Sequence, residues 1–175
     1  MKTHRLLMMV LLLLLLTPHA LAGEFTAAGL FTVTYDDSLT MDDVSYQYET
    51  TDLYRWFFVL YGDDFVIDAN TEWMELFDGV SLHTATQEER DAYLQDMADY
   101  YPEASYLQTI TATHSGIPFY VFRFESDEGP FLLAETVVNG YAIDFYAYYY
   151  DESQAPDDAL MEALTALLQT FTPAA

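Results

Sequence analysis

Phe131-Leu132-Leu133-Ala134-Glu135-Thr136-Val137-Val138-Asn139-Gly140-Tyr141-Ala142-Ile143-Asp144-Phe145-Tyr146-Ala147-Tyr148-Tyr149-Tyr150 is the stretch on which the architecture turns. Asn and Gly both accept the positive φ of a type I′ turn, so Asn139-Gly140 between two apolar runs predicts an antiparallel hairpin. Side chains alternate along a strand, so Tyr141, Ile143, Phe145, Ala147 and Tyr149 fall on one side of the second arm. Ala142, Asp144, Tyr146, Tyr148 and Tyr150 fall on the other. The first arm is apolar on both sides, which marks a strand covered on both faces.

Working outward, Tyr106 to Thr113 and Ile117 to Phe124 read as two more strands leading into the hairpin. Before them, Thr86-Gln87-Glu88-Glu89 is a capping box, with Thr86 capping a helix and Glu89 reaching back. Tyr93, Met97 and Tyr100 or Tyr101 then form one apolar stripe, and Pro102 ends the helix. Earlier still, Leu30 to Tyr35 alternates as a first strand, and Trp56 to Tyr61 is a second clear one before the Gly62-Asp63-Asp64 turn. Phe65 to Ile67 reads as a short strand and Thr71 to Phe77 as a short helix. After the hairpin, Leu160, Leu164, Leu167, Leu168 and Phe171 mark the buried face of a terminal helix within Ala155 to Phe171. The expectation is an α+β fold: an antiparallel sheet of about six or seven strands packed between two main helices, an α/β/α sandwich.

This order, with His114-Ser115-Gly116-Ile117-Pro118-Phe119-Tyr120, the Asn139-Gly140 hairpin and the late Leu167-Leu168-Gln169-Thr170-Phe171, resembles the Mog1/PsbP-like superfamily, including its small exported bacterial proteins. The resemblance spans nearly the whole chain after its start. It implies an antiparallel sheet between helices, mostly non-enzymatic roles, and binding of protein partners.

The first 22 residues have the zones of a secretory signal peptide. Lys2 and Arg5 precede the apolar run Leu6 to Leu16, and Ala20-Leu21-Ala22 offers small residues for cleavage after Ala22. The run is shorter than the roughly 20 residues that span a bilayer core. Export is therefore expected, leaving residues 23–175 as a single acidic domain outside the cytoplasm. The chain has no cysteine, which rules out disulfides, thiol chemistry, zinc thiolates and a lipid-modified Cys. Loss of Lys2 and Arg5 leaves Arg55, Arg90 and Arg123 against 29 acidic residues. Such a surface repels phosphate backbones and anionic lipid heads, arguing against nucleic-acid partners and membrane docking after cleavage. It suits cations or a basic partner, and equally serves to keep an aromatic-rich domain soluble. Aromatic residues make up 17% of the chain, too many for a disordered acidic tail.

Chemistry-bearing residues are few. His83 and His114 are the histidines after the leader, and Ser115 follows His114, but no Gly-x-Ser-x-Gly elbow exists. No catalytic residue is assigned, and a carboxylate-based or metal-assisted secreted hydrolase stands as an alternative. Hard cations take oxygen ligands: Asp63 and Asp64 form one of several acidic pairs, and Asp68-Ala69-Asn70-Thr71-Glu72 imitates the start of a calcium loop. Trp73 stands where that loop needs Gly, and Gly79 where it needs a bidentate Glu. No cofactor other than calcium is suggested, so a calcium-binding module is a further alternative. The most specific feature is the row Tyr146, Tyr148 and Tyr150 beside Asp144. Exposed, it would stack on a sugar or anchor a partner protein; covered by a helix, it would be core. The leading expectation is a secreted, non-catalytic binding or accessory domain contacting another extracytoplasmic protein.

Overall fold

The computed structural model describes residues 22–49 and 53–174. The expected leader, Ala22 apart, lies outside the described residues. The predicted hairpin is present: β10 (Phe131–Val138) and β11 (Tyr141–Tyr149) pair antiparallel from Leu132 opposite Ala147 to Val138 opposite Tyr141. Asn139 and Gly140 both adopt positive φ, 49° and 83°.

Five further strands complete the main sheet. They are β3 (Thr40–Asp43), β6 (Phe57–Tyr61), β7 (Phe65–Trp73), β8 (Ser105–Thr111) and β9 (Pro118–Phe124). The order across the seven-stranded sheet is β3-β6-β7-β11-β10-β9-β8, with every neighbour antiparallel. Strands β8 to β11 form a meander that folds back until β11 meets β7 along nine residue pairs, Tyr141 opposite Trp73 to Tyr149 opposite Phe65. Two pieces stand outside this sheet. β1 (Gly23–Ala27), β2 (Phe31–Tyr35) and β12 (Thr172–Pro173) make a three-stranded sheet, and β4 (Tyr46–Gln47) pairs with β5 (Tyr54–Arg55).

Each face of the main sheet has its own cover. Helix α2 (Asp158–Gln169) and the small sheet lie on one face, burying Leu160, Leu164, Leu167, Leu168 and Phe171 as the spacing predicts. Phe171 stacks on Phe31 at 4.8 Å and meets Phe119 edge-on at 5.0 Å, while Phe25 lies 4.3 Å from Phe58. Helix α1 (Gln87–Tyr100) lies on the other face. It begins at the predicted capping box, with Thr86 and Glu89 bonded reciprocally. Tyr93 and Met97 are buried as expected, and the third stripe position goes to Tyr101, leaving Tyr100 75% exposed. Tyr93 packs on Tyr120 of β9, Tyr101 meets Phe122 and Phe124, and the Tyr120 hydroxyl donates to the Arg90 carbonyl at 3.0 Å. These contacts place α1 over the β9–β10 side of its face.

One local expectation is corrected. Residues 65–77 are not a short strand followed by a helix: β7 runs unbroken to Trp73, and only Glu75–Phe77 make a single 3-10 turn. The cause is tertiary, because β7 is clasped by β6 on one side and β11 on the other. Thr71 is buried there, and its hydroxyl accepts from the Trp56 amide at 3.0 Å. Ladder pairing on both edges outweighs the weak helical preference of the segment.

Candidate functional site

Because α1 sits over β9 and β10, the neighbouring part of the same face keeps side chains within reach of solvent. Tyr146 and Tyr148 are half-buried and Tyr150 is 52% exposed. Across the ladder, Tyr146 stands opposite Asp68 of β7 and Leu133 of β10, and Tyr148 opposite Val66. The Tyr148 hydroxyl donates to Asp68 Oδ2 at 3.0 Å. Phe131, stacked on Phe124 at 4.8 Å, closes the other flank and meets the Tyr146 ring at 5.8 Å.

Two turns raise a rim over this aromatic floor. In one, the Ser126 hydroxyl donates to the Gly129 carbonyl at 2.7 Å and accepts from the Glu128 amide at 3.2 Å. In the other, Asp151 Oδ1 accepts from the Ser153 amide and hydroxyl at 3.0 and 2.6 Å. The turns approach so closely at Gly129, φ 108°, that an added Cβ would lie 2.7 Å from the Glu152 carbonyl oxygen. Only glycine serves there. The result is an open hollow of about 700 Å³, lined chiefly by Tyr146, Tyr148, Tyr150, Phe131 and the acids Asp68, Glu128 and Glu152.

The charge inside is one-sided. Among the described residues, no basic side chain lines the hollow. The three arginines of the described chain are engaged elsewhere: Arg55 Nε donates to Asn70 Oδ1, Arg90 to the Leu82 and His83 carbonyls, and Arg123 pairs with Glu125 at 2.8 Å. Burial pushes the Asp68 carboxyl above its ordinary range, a shift the Tyr148 hydrogen bond partly opposes. Burial, with Asp68 alongside, pushes the Tyr148 phenol up to about 12.

Asp144, expected as part of the tyrosine row, goes to a different arrangement under α1. It stands opposite Glu135 in the β10–β11 ladder. Glu135 is buried and accepts a hydrogen bond at Oε1 from the Tyr93 hydroxyl; Asp144 Oδ1 is buried with no hydrogen-bond partner. Desolvation pushes Glu135 up to about 7, against the pull of the Tyr93 hydrogen bond and of the neighbouring Asp144 carboxyl. Desolvation first, then the neighbouring Glu135 charge, raises Asp144 well above the carboxylate range. Two neighbouring carboxyls whose charged forms are both disfavoured tend to share a proton above the ordinary carboxylate range. Glu135 is legible beforehand as the lone acid in an apolar strand; its partner is visible only once register is known.

The remaining candidates are dispersed. Asp63 and Asp64 lie in the β6–β7 turn, whereas Asp68, Asn70 and Glu72 alternate along β7, extended strand in place of the expected loop. Asp68 is taken by Tyr148 and Asn70 by Arg55. Among the described residues, no group of three His, Asp or Glu side chains is placed to hold a metal ion. Ser115 donates its hydroxyl to the Phe171 carbonyl at 3.1 Å, which ties the β8–β9 turn to the C-terminal segment. Among the described residues, no helix is long and apolar enough to cross a membrane.

No protein-family model matches the chain, and no curated protein sequence does. In structure the chain is similar to cyanobacterial PsbP (CyanoP) from Synechocystis sp. PCC 6803, known from a solution structure. The TM-score is 0.47 at 13% identity, over 90% of this chain and 95% of that one.

Proposed function

We propose that the protein is a non-catalytic binding or accessory domain of the Mog1/PsbP-like kind, exported from the cytoplasm, that contacts another extracytoplasmic protein through the tyrosine-lined hollow. One observation carries this reading: Tyr146, Tyr148 and Tyr150 stand on a sheet face that α1 leaves open, as a concave aromatic floor. Tyrosine supplies large, rigid contact area with a polar tip, so it anchors protein interfaces at low entropic cost. The volume lies within the range of roughly 300–1,000 Å³ typical of ligand sites.

The test is capture from the producing organism's envelope and culture fluid with the full chain and with a Tyr148→Ala/Tyr150→Ala variant. A protein retained by the parent and lost by the variant, with urea melting showing both folded, is the expected result. Equal capture by the two proteins, or none by either, overturns the reading.

A further inference from the structure

The hollow combines two features that together select a ligand chemistry. Its floor presents aromatic rings, and its walls carry Asp68, Glu128 and Glu152 with, among the described residues, no basic group to neutralise them. Guanidinium is the cation best matched to that pairing. It is planar, weakly hydrated, stacks on aromatic faces, and donates hydrogen bonds in a fork that fits a carboxylate. We infer that the hollow takes an arginine side chain from a basic segment of the partner, stacked on the tyrosines and paired with Asp68; this rests on the protein-contact reading above.

Three further observations agree. Asp68 is half-buried and, among the described residues, its side chain accepts only from a neutral phenol, so an incoming cation would offset its desolvation. Burial raises its carboxyl pKa, the direction that a nearby cation would oppose. The rim acids Glu128 and Glu152 are exposed, where they steer a basic segment inward without being desolvated themselves. Among the described residues, the arginines Arg55, Arg90 and Arg123 are each bonded outside the hollow.

Titration calorimetry of the full chain with end-blocked tetra-arginine, at about 0.15 M salt where long-range attraction is largely screened, tests the inference. Tetra-citrulline, which keeps the shape and loses the charge, should bind at least tenfold more weakly. Asp68→Asn and Tyr150→Ala should each weaken tetra-arginine about three- to tenfold, as expected for one desolvated ion pair and one cation–aromatic contact. Tyr150 is exposed enough that its loss leaves the fold intact, and Glu88→Gln on the outer surface of α1 removes the same unit of charge as Asp68→Asn. Equal weakening by Asp68→Asn and Glu88→Gln would mean diffuse attraction to an acidic protein and would overturn the site. So would equal binding of tetra-citrulline, or tighter binding of maltohexaose at the same tyrosines, which would assign the floor to sugars. A partner captured through the hollow but not displaced by tetra-arginine overturns the arginine inference alone. Site-specific arginine binding without hollow-dependent capture supports the guanidinium chemistry of the hollow and overturns the partner protein as its source.

Discussion

Glu135 and Asp144 face each other between β10 and β11, with Tyr93 of α1, Tyr101 just after it, Tyr146, Glu72 and Arg55 as the titratable groups around them. Both carboxyls have raised affinity for protons in the folded chain, so between roughly pH 4 and 7 the folded state holds more protons than the unfolded one. Stability from this pair is therefore fully present at low pH and declines as pH rises through that window. Asp144→Asn imitates the protonated acid and still offers a donor to Glu135. It should leave stability near pH 4 unchanged and raise it by about 1–3 kcal/mol at pH 8, flattening the profile between. Urea unfolding at several pH values reads this directly, and a variant less stable than the parent at pH 8 would refute the shared proton.

At the scale of elements, the Asn139-Gly140 turn does more than join two strands. The Asn139 amide donates to Ser81 Oγ at 2.7 Å, the Gly140 amide donates to the Val80 carbonyl at 3.0 Å, and the Gly140 carbonyl accepts from the Met74 amide at 3.1 Å. The hairpin tip thus clamps the connection between β7 and α1. A Cβ at Gly140 would adopt φ 83° and lie 3.2 Å from the Phe77 carbonyl oxygen and 3.3 Å from Trp73 Nε1. Gly29 has a similar φ, 77°, but open space around it. Gly29→Ala should therefore cost about 1 kcal/mol for the backbone alone, and Gly140→Ala about 1 kcal/mol more. Chemical denaturation of the two variants separates the terms; equal losses would show that the clamp yields freely. The hairpin and the capping box of α1 were legible because each is a local match between side chain and backbone. β7 was not: nothing within residues 65–77 announces that strands will pair along both of its edges.

For the whole molecule, 29 acidic residues against five basic ones give a formal charge of −24, so folding concentrates like charge. Raising NaCl from about 0.01 to 0.5 M shortens the screening length from roughly 30 Å to about 4 Å. The melting midpoint should then climb by several degrees, corresponding to about 1–2 kcal/mol of relieved repulsion for a chain of this size. Scanning calorimetry across the salt series checks this, and a flat response would mean that the acids are spaced too widely to interact.

The α+β class, the hairpin, the buried faces of both helices and the expectation of export could all be read from the residues alone. These rest on periodicity, turn chemistry and composition, which need no knowledge of distant neighbours. The surroundings of Tyr146, Tyr148, Tyr150 and Asp144 came from tertiary packing alone. Alternation put all four on one side of β11, but the placement of α1 over β9 and β10 sent Asp144 into the buried pair with Glu135. It left the tyrosines as an open floor beside Asp68. Which half of a sheet face a helix covers is settled by packing across the whole layer, and no local pattern records it.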